Sequence, residues 1–295
     1  MLRLLSYNID WARREEQLQV PEEQRHQHLL IKNRLPGIID TIAHSGATIA
    51  NVQELRALDS CETKPADFVA LVNKRCGYHC LGPFYYCKDA VSFALCTFYR
   101  RDLYHVLQLG LIGLPPLNPQ TTRVCLWVLF QCAQSGRRFI VANTHLDLDE
   151  QVKQVSLAIL ATQLRQLVVQ YGAPLVLTGD FNLFDDLQGG AQRQWMLDET
   201  ASVDVFHPLH LARESETVLS GTFIGYPETD AHAKTPETMS RLDHAFLFGP
   251  AGLEPQGHAY TVDVTMGALR AARLPSDHLP CVREFALRAH DTDEQ

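Results

Sequence analysis

The sequence contains no long apolar segment. None of the apolar runs in its 295 residues approaches the roughly 18 consecutive residues that a membrane-spanning helix requires. Few apolar residues precede the charged run Arg13-Arg14-Glu15-Glu16, so the amino terminus lacks the apolar region of a secretory signal peptide. These absences argue against a transmembrane segment and predict a soluble protein in the cytoplasm.

Basic residues are scarce relative to acidic ones. The chain has 26 Lys and Arg against 34 Asp and Glu, which gives a formal net charge of −8. Proteins that bind nucleic acid often present a strongly basic face. The composition therefore argues against a broadly basic surface, although a local patch that includes Arg137 and Arg138 is compatible with it.

Paired CxxC motifs are absent, although the chain has eight cysteines. Cys96 and Cys281 lie in apolar strand-like runs, where a free thiol behaves as a small hydrophobic side chain. This distribution predicts reduced thiols in a cytosolic protein. A structural zinc site is an alternative for the cluster of Cys76, His79, Cys80 and Cys87. The missing CxxC spacing makes zinc the weaker interpretation.

The apolar periodicity predicts a mixture of helices and strands. Residues 151–171 carry an apolar stripe at helical spacing, and residues 29–42 and 66–76 show shorter helical patterns. Short runs rich in β-formers, including 175–178 and 260–264, predict strands. Three segments are expected to be adjustable surface loops: 110–122, 185–192 and 225–240.

One strand end is the most informative feature of the chain, and it reads Leu175-Val176-Leu177-Thr178-Gly179-Asp180-Phe181-Asn182. An apolar strand ends there in a glycine turn that carries Asp180 and Asn182. Side chains alternate along an extended chain, so both polar groups could address one phosphate or one water molecule. The competing interpretation is an ordinary exit from a strand, in which both side chains bond their own backbone.

Similar strand ends recur along the chain, and each stops at residues suited to metal or phosphate chemistry. They are Leu4-Leu5-Ser6-Tyr7-Asn8-Ile9-Asp10, Ile49-Ala50-Asn51-Val52-Gln53-Glu54, Ile140-Val141-Ala142-Asn143-Thr144-His145-Leu146-Asp147 and Arg241-Leu242-Asp243-His244-Ala245-Phe246-Leu247. A further element, Pro275-Ser276-Asp277-His278, precedes an apolar run. In this order the motifs resemble the endonuclease/exonuclease/phosphatase superfamily of metal-dependent phosphoesterases, over residues 2–287.

The resemblance implies an α/β (α+β) fold, a four-layer sandwich of two packed mixed β-sheets flanked by helices. Because the motifs run from one end of the chain to the other, we expect a single domain over residues 1–288. Residues 289–295 have the polar sequence Ala-His-Asp-Thr-Asp-Glu-Gln and are expected to form a disordered tail.

Converging strand ends would crowd carboxylates into one pocket, and these are Asp10, Glu54, Asp180, Asp243 and Asp277. Two carboxylates about 4 Å apart repel by roughly 4 kcal/mol at an effective dielectric of about 20, so a bound cation is the simplest resolution. Oxygen ligands favour Mg²⁺, with Mn²⁺ as a possible substitute. We expect Glu54 to be the first ligand, with Asn8 and Asp10 beside it, and the resemblance implies that Asp277 also lies near the metal.

The resemblance also implies catalytic roles for five side chains. Asp180 would orient and deprotonate the attacking water, with Asn182 holding the water or a phosphate oxygen. His278 would donate to a nonbridging phosphate oxygen, and Asp243 would pair with this histidine and keep it charged. His145 resembles a second histidine that assists the leaving oxygen or stabilises the pentacoordinate phosphorus.

The motifs leave the substrate open. The residues Asn8-Ile9-Asp10 and Pro275-Ser276-Asp277-His278 resemble the tyrosyl-DNA phosphodiesterase branch, which favours a phosphodiester in DNA or RNA. Thr144-His145-Leu146 is equally typical of sphingomyelinase, inositol-phosphatase and deadenylase relatives, so a phospholipid or an inositol phosphate is the alternative. A non-catalytic interaction protein on the same scaffold would be expected to lack some of the catalytic residue types, and all of them are present.

Overall fold

A computed structural model describes most of the chain. The described residues are 1–11, 21, 30–57, 64–88, 91–115, 123–184, 187–225, 235, 238–262, 264 and 274–288. The tail expected at 289–295 lies outside them. Within the described ranges, no helix is both long enough and apolar enough to cross a membrane.

Helices and strands alternate irregularly along the chain. The helices in the described ranges are α1 (Ile31–His44), α2 (Pro65–Cys76), α3 (Glu150–Tyr171) and α4 (Leu187–Thr200). The strands there are β1 (Leu2–Asn8), β2 (Ile49–Ala57), β3 (His79–Lys88), β4 (Val91–Tyr99), β5 (Tyr104–Leu114), β6 (Arg123–Cys132), β7 (Arg138–His145), β8 (Leu175–Asp180), β9 (Val203–Asp204), β10 (Leu209–His210), β11 (Val218–Leu219), β12 (Asp243–Phe248), β13 (Leu253–Tyr260) and β14 (Cys281–Leu287).

The strands form two mixed sheets. The first has the order β11-β10-β13-β14-β1-β2-β4-β3, and the second has the order β5-β6-β7-β8-β12-β9. In the first sheet β1 is parallel to β2 and antiparallel to β14. In the second sheet β8 is parallel to β7 and antiparallel to β12.

The two sheets pack face to face between helices. Leu4 and Ile49 of the first sheet share one buried cluster with Val128, Phe139 and Val176 of the second. The outer face of the first sheet buries α1 and α2, and the outer face of the second buries α3. The predicted four-layer sandwich of two mixed sheets flanked by helices is therefore confirmed.

The local sequence explains the longest helix, α3. The Asp149 carboxylate caps its first turn by accepting hydrogen bonds from the backbone N–H groups of Gln151 and Val152. Gly172 ends it in the left-handed conformation at φ 56°, which glycine adopts without steric cost. Its predicted range of 151–171 is confirmed, as is that of α2, predicted at 66–76.

Several local predictions are wrong. Residues 187–192, expected as a loop, begin α4, and β5 continues to Leu114 through the start of another expected loop. The strand expected at 260–264 instead ends at Tyr260 as β13. The third expected loop, 225–240, lies mostly outside the described residues, as does the Cys87 side chain of the alternative zinc cluster.

The topology brings the predicted motifs to one edge of the sandwich. Because β1 and β2 are parallel, they deliver Asn8 and Glu54 to the same end of the first sheet. The parallel pair β7 and β8 likewise delivers His145 and Asp180, which are partners in the strand register. Since β12 is antiparallel to β8, its first residue, Asp243, lies opposite Asp180.

Candidate active site

Asp180 occupies the centre of this edge. Its Oδ2 atom accepts a hydrogen bond of 3.0 Å from Nδ2 of Asn8. The same oxygen lies 3.5 Å from Nε2 of His145 and 3.6 Å from Nε2 of His278. Glu54 adjoins the group, because its Oε1 atom lies 3.4 Å from Nδ2 of Asn8 and 3.9 Å from Nε2 of His145. Five predicted site residues, Asp180 among them, therefore form one cluster.

A buried polar layer beneath this group joins the two sheets. The Gln53 amide donates to Asn143 Oδ1 at 2.8 Å and to Ser6 Oγ at 3.1 Å. The Asn51 amide donates to Thr178 Oγ1 at 2.8 Å. Gln53 and Asn143 precede Glu54 and Thr144-His145 in the sequence, so these bonds set the distance between site residues of the two sheets. This layer was visible in the sequence only as polar residues within otherwise apolar strands.

Three site residues adopt the left-handed backbone conformation that non-glycine residues rarely take. Their φ angles are 39° for Asp10, 62° for Glu54 and 52° for Asn182. Among the described non-glycine residues, the fourth with a positive φ is Ala201. At Glu54 the register with β4 shifts between Val52 and Leu55, as at a β-bulge, which re-aims a side chain at a strand end. Such conformations concentrate at functional sites.

Gly179 lets the two central strands of the second sheet approach closely. Its φ is 153°, and a Cβ atom added there would lie 2.0 Å from the carbonyl oxygen of Thr144. No residue with a side chain fits at that distance. The glycine of the sequence motif therefore holds Asp180 beside its register partner, His145.

His278 bridges the two carboxylates that face each other across β8 and β12. Its Nδ1 atom lies 2.8 Å from Oδ2 of Asp243, and its Nε2 atom faces Asp180. Burial on its own would lower the pKa of His278, but the negative charges of Asp243 and Asp180 raise that pKa well above its ordinary value. This shift favours the charged form of the imidazole, and a positive charge there offsets the repulsion between the facing carboxylates.

The remaining predicted residues lie at the margin of this cluster. The Asp10 backbone N–H donates to Asn8 Oδ1 at 3.0 Å, so the Asn8 amide is bonded through both its nitrogen and its oxygen. Asn182 donates through Nδ2 to the Leu146 carbonyl at 3.0 Å. The Asp277 carbonyl accepts the backbone N–H groups of Ile224 and Gly225, which ties a distant segment to the site. The structure thus places all nine predicted residues at one edge of the sandwich.

Known proteins resemble this chain in fold but not detectably in sequence family. A scan against protein-family models and a search of curated proteins found no match to this sequence. A mannosyl-6-phosphatase from Bacteroides thetaiotaomicron is 20% identical, with a TM-score of 0.70, over 97% of this chain and 100% of that one. ANGEL2, a 2′,3′-cyclic phosphatase in complex with adenosine-2′,3′-vanadate, is 18% identical, with a TM-score of 0.69, over 98% and 96%.

A further solved structure carries the family description in its name. It is an endonuclease/exonuclease/phosphatase family protein from Bacteroides thetaiotaomicron, 19% identical, with a TM-score of 0.69 and coverage of 98% of both chains. The chain has the endonuclease/exonuclease/phosphatase fold. The motifs that suggested this fold all lie at the one edge described above.

The oxygen atoms that these side chains present at the edge of the sandwich are compatible with a hard divalent cation. Carboxylate and amide oxygens are the ligands that Mg²⁺ prefers, and Glu54 presents such an oxygen at the site. Oδ1 of Asp243 is buried and has no hydrogen-bond partner in the described part of the chain, so a further donor or cation is needed to satisfy it. No three His, Cys, Asp or Glu residues in the described ranges form a ready-made cage. Mg²⁺ does not require one, because it keeps several waters and uses few carboxylates.

Two buried, positively charged side chains, Lys153 and Arg34, lie behind the site, and the sequence analysis missed both. Lys153 on α3 is fully buried and donates from Nζ to the Asn182 carbonyl at 2.6 Å and to Glu150 Oε1 at 2.5 Å. Arg34 on α1 is 4% exposed. The available signal was a charged residue at a core-facing position of an amphipathic helix, where an apolar side chain is expected.

Proposed function

We propose that the chain is a divalent-cation-dependent phosphoesterase in which water attacks phosphorus and an alcohol leaves. The observation that carries the proposal is the convergence of Asn8, His145 and His278, from three separate elements, on one carboxylate oxygen of Asp180. A carboxylate surrounded by donors from both sheets is suited to hold a water molecule and accept its proton.

A Mg²⁺ ion, or Mn²⁺, would be held by Glu54 with Asn8, Asp10 and Asp277, and when bound it would neutralise and polarise the scissile phosphate. The oxygen donor set supports this assignment, because Glu54 presents a carboxylate oxygen beside Asn8 and His145. The left-handed backbone at Asp10 and Glu54 supports it further, because strained conformations persist where a function requires a particular side-chain direction.

The chain's own residues would move the proton and stabilise the charge that develops around the phosphorus. Asp180 takes the proton from the attacking water, and Asn182 holds that water or a phosphate oxygen. His278, kept charged by Asp243, donates a hydrogen bond to a nonbridging phosphate oxygen. His145 lies 3.5 Å from Asp180 and would assist the leaving oxygen or stabilise the pentacoordinate phosphorus.

For the substrate we propose a phosphodiester in nucleic acid, either DNA or RNA. The name of ANGEL2, a 2′,3′-cyclic phosphatase bound to an adenosine vanadate, supports a nucleotide-containing ester on this fold. A small soluble phosphomonoester is the second candidate. It is favoured by the net charge of −8, which would repel a long polyanion, and by the mannosyl-6-phosphatase neighbour.

The test is a hydrolysis panel run with Mg²⁺, with Mn²⁺ and with EDTA. Its substrates are single- and double-stranded DNA, a 5′-tyrosyl oligonucleotide, poly(A) RNA, a nucleoside 2′,3′-cyclic phosphate, mannose 6-phosphate, sphingomyelin and inositol phosphates. EDTA-sensitive hydrolysis of one class, absent in Asp180→Asn, is the expected result. Hydrolysis confined to mannose 6-phosphate would replace the nucleic-acid proposal. Silence on every ester, together with no cation binding by calorimetry, would overturn the phosphoesterase proposal.

A further inference from the structure

A charged residue interrupts the buried face of α1. The residues of this helix that are buried are Ile31, Arg34, Leu35, Ile38, Ile39, Thr41 and Ile42. Arg34 is the one charged residue in that set. Placing a guanidinium among isoleucines is costly unless its N–H groups are hydrogen-bonded. The position therefore calls for a specific set of acceptors.

Those acceptors are four backbone carbonyl groups. One terminal nitrogen of Arg34 donates to the carbonyls of Ile9, at 3.2 Å, and Pro275, at 2.7 Å. The other terminal nitrogen donates to the carbonyls of Asp10 and, at 3.1 Å, Trp11. A single planar side chain thus spans two segments that lie more than 260 residues apart in the sequence.

Both segments carry residues of the candidate site. The first loop, residues 9–11, follows β1 and Asn8, and it contains Asp10. The second loop, residues 275–280, precedes β14 and contains Asp277 and His278. The loops are adjacent because β1 and β14 are antiparallel neighbours.

Ser276 adds a second tie between the same loops. Its hydroxyl donates to the Asn8 carbonyl at 2.7 Å and accepts the His278 backbone N–H at 3.3 Å. Ser276 is fully buried. The tie joins the backbones of Asn8 and His278, whose side chains both contact Asp180, so a shift between the two loops would change the geometry around Asp180.

We infer that Arg34 is a positioning residue. It clamps the first loop, residues 9–11, to the second loop, residues 275–280, and so sets the geometry around Asp180. The consequence for turnover rests on the proposed phosphoesterase function, whereas the clamp itself does not. Lysine cannot replace it, because an ammonium offers one nitrogen where the arginine fork presents two terminal nitrogens in a fixed plane. An apolar residue would fill the space but leave four carbonyl groups without their donor.

The variant that tests the clamp is Arg34→Lys, and the matched control is Arg3→Lys. Arg3 lies on β1 at the opposite end of the strand, where its guanidinium pairs with the buried Glu284 at 2.8 Å. Both variants keep the positive charge and remove a fork that binds buried acceptors. If Arg34→Lys does not fold, Arg34→Gln serves instead, since its amide retains two N–H donors in a plane without the charge.

The first readout is amide hydrogen exchange, which does not depend on activity. We expect faster exchange in Arg34→Lys in residues 9–11 and 276–279 together, relative to the core strands β7 and β8. Arg3→Lys should leave these loops at the wild-type rate. A merely structural role would raise exchange throughout the core in proportion to the lost stability. The clamp would be overturned if Arg34→Lys raises the exchange rate of these loops, relative to the wild type, by no more than it raises that of the core strands.

The second readout is the division of the effect between kcat and KM, measured at a temperature where both variants are folded. A misplacement of about 1 Å costs about 100-fold in rate, so we expect kcat to fall by that order in Arg34→Lys with little change in KM. Guanidinium ions should partly restore kcat to Arg34→Ala and not to Asp180→Asn. A wild-type kcat in Arg34→Lys would refute the positioning role. A wild-type protein that neither hydrolyses any ester of the panel nor binds a divalent cation would refute the proposed function and leave the exchange result to decide the clamp.

Discussion

Nδ1 of His278 lies 2.8 Å from Oδ2 of Asp243, and both groups are buried at the edge where the two sheets meet. A second buried pair of the same kind exists on the other face of β12, where Nδ1 of His244 lies 2.7 Å from Oδ2 of Asp204. The part of the chain that the structure describes therefore contains two closely similar Asp–His pairs, of which one faces Asp180. Substitutions in the second pair can therefore serve as matched controls for substitutions in the pair at the site.

Asp243→Asn is expected to reduce kcat by about 100-fold or more, because it removes the charge that keeps His278 protonated, and proton donors of this kind contribute about 10²- to 10⁴-fold. The matched variant Asp204→Asn removes the partner of His244 and should lower the melting temperature with kcat retained. The measurement is steady-state kinetics alongside thermal unfolding. Equal losses of kcat in the two variants would refute the assignment of the first pair to the site.

Asp180→Asn is expected to abolish turnover. The substitution barely changes the volume of the side chain, but an amide cannot accept a proton from water at neutral pH. Circular dichroism and thermal unfolding should show a folded protein. Turnover above about one hundredth of the wild-type rate in a folded Asp180→Asn variant would contradict its role as the base.

Glu54→Gln is expected to weaken divalent-cation binding. Residues around a metal that do not touch it are worth about 10- to 100-fold in affinity, so the loss of a direct carboxylate ligand should cost at least about tenfold. Isothermal titration calorimetry with Mg²⁺ and Mn²⁺ measures the change. Glu254→Gln is the control, because Glu254 is a surface carboxylate that pairs with Arg288. An unchanged affinity in Glu54→Gln would exclude Glu54 as a ligand.

The Asp204–His244 pair is expected to make the stability of the fold depend on pH in the acidic range. Burial acts to raise the pKa of Asp204, but the charge and hydrogen bond of His244, with the charge of Arg241 and the backbone N–H of Ala245, together hold that pKa below its ordinary value. A carboxyl group with a lowered folded-state pKa contributes stability above its unfolded pKa of about 3.9, and loses it as the pH falls through the folded value.

Melting temperatures of wild type and Asp204→Asn measure this contribution. Their difference should stay constant from pH 7 to about 5 and shrink as the pH falls below about 4, because the carboxylate becomes protonated there. A difference that does not change down to pH 3 would show that the Asp204 charge contributes nothing to stability.

Strong local patterns identified many of the elements correctly. The stripe at 151–171 spans more than five helical turns and carries an aspartate cap and a terminal glycine, so its own sequence suffices to specify α3. The apolar runs before Asn8, Asp180 and His145 form strands because they are buried on both faces of their sheets.

Elements whose propensity is overridden by packing were missed. Gly189 and Gly190 disfavour a helix, yet α4 forms because Met196 is buried against the second sheet and Arg165 on α3 bonds the Glu199 side chain at 2.9 Å. Pro255 and Gly257 disfavour a strand, but β13 forms by pairing with β14 around an irregular register.

The residues alone specified which chemical groups stand at the strand ends, because a run of apolar residues followed by Asp, Asn, Glu or His is a local property of the chain. That several ends meet around Oδ2 of Asp180 was decided by the tertiary structure. Parallel pairing of β1 with β2 and of β7 with β8, together with the face-to-face packing of the sheets, arises from contacts between distant segments. The carbonyl clamp at Arg34 also depends on such contacts, since its acceptors are backbone groups whose identity no side-chain pattern reveals.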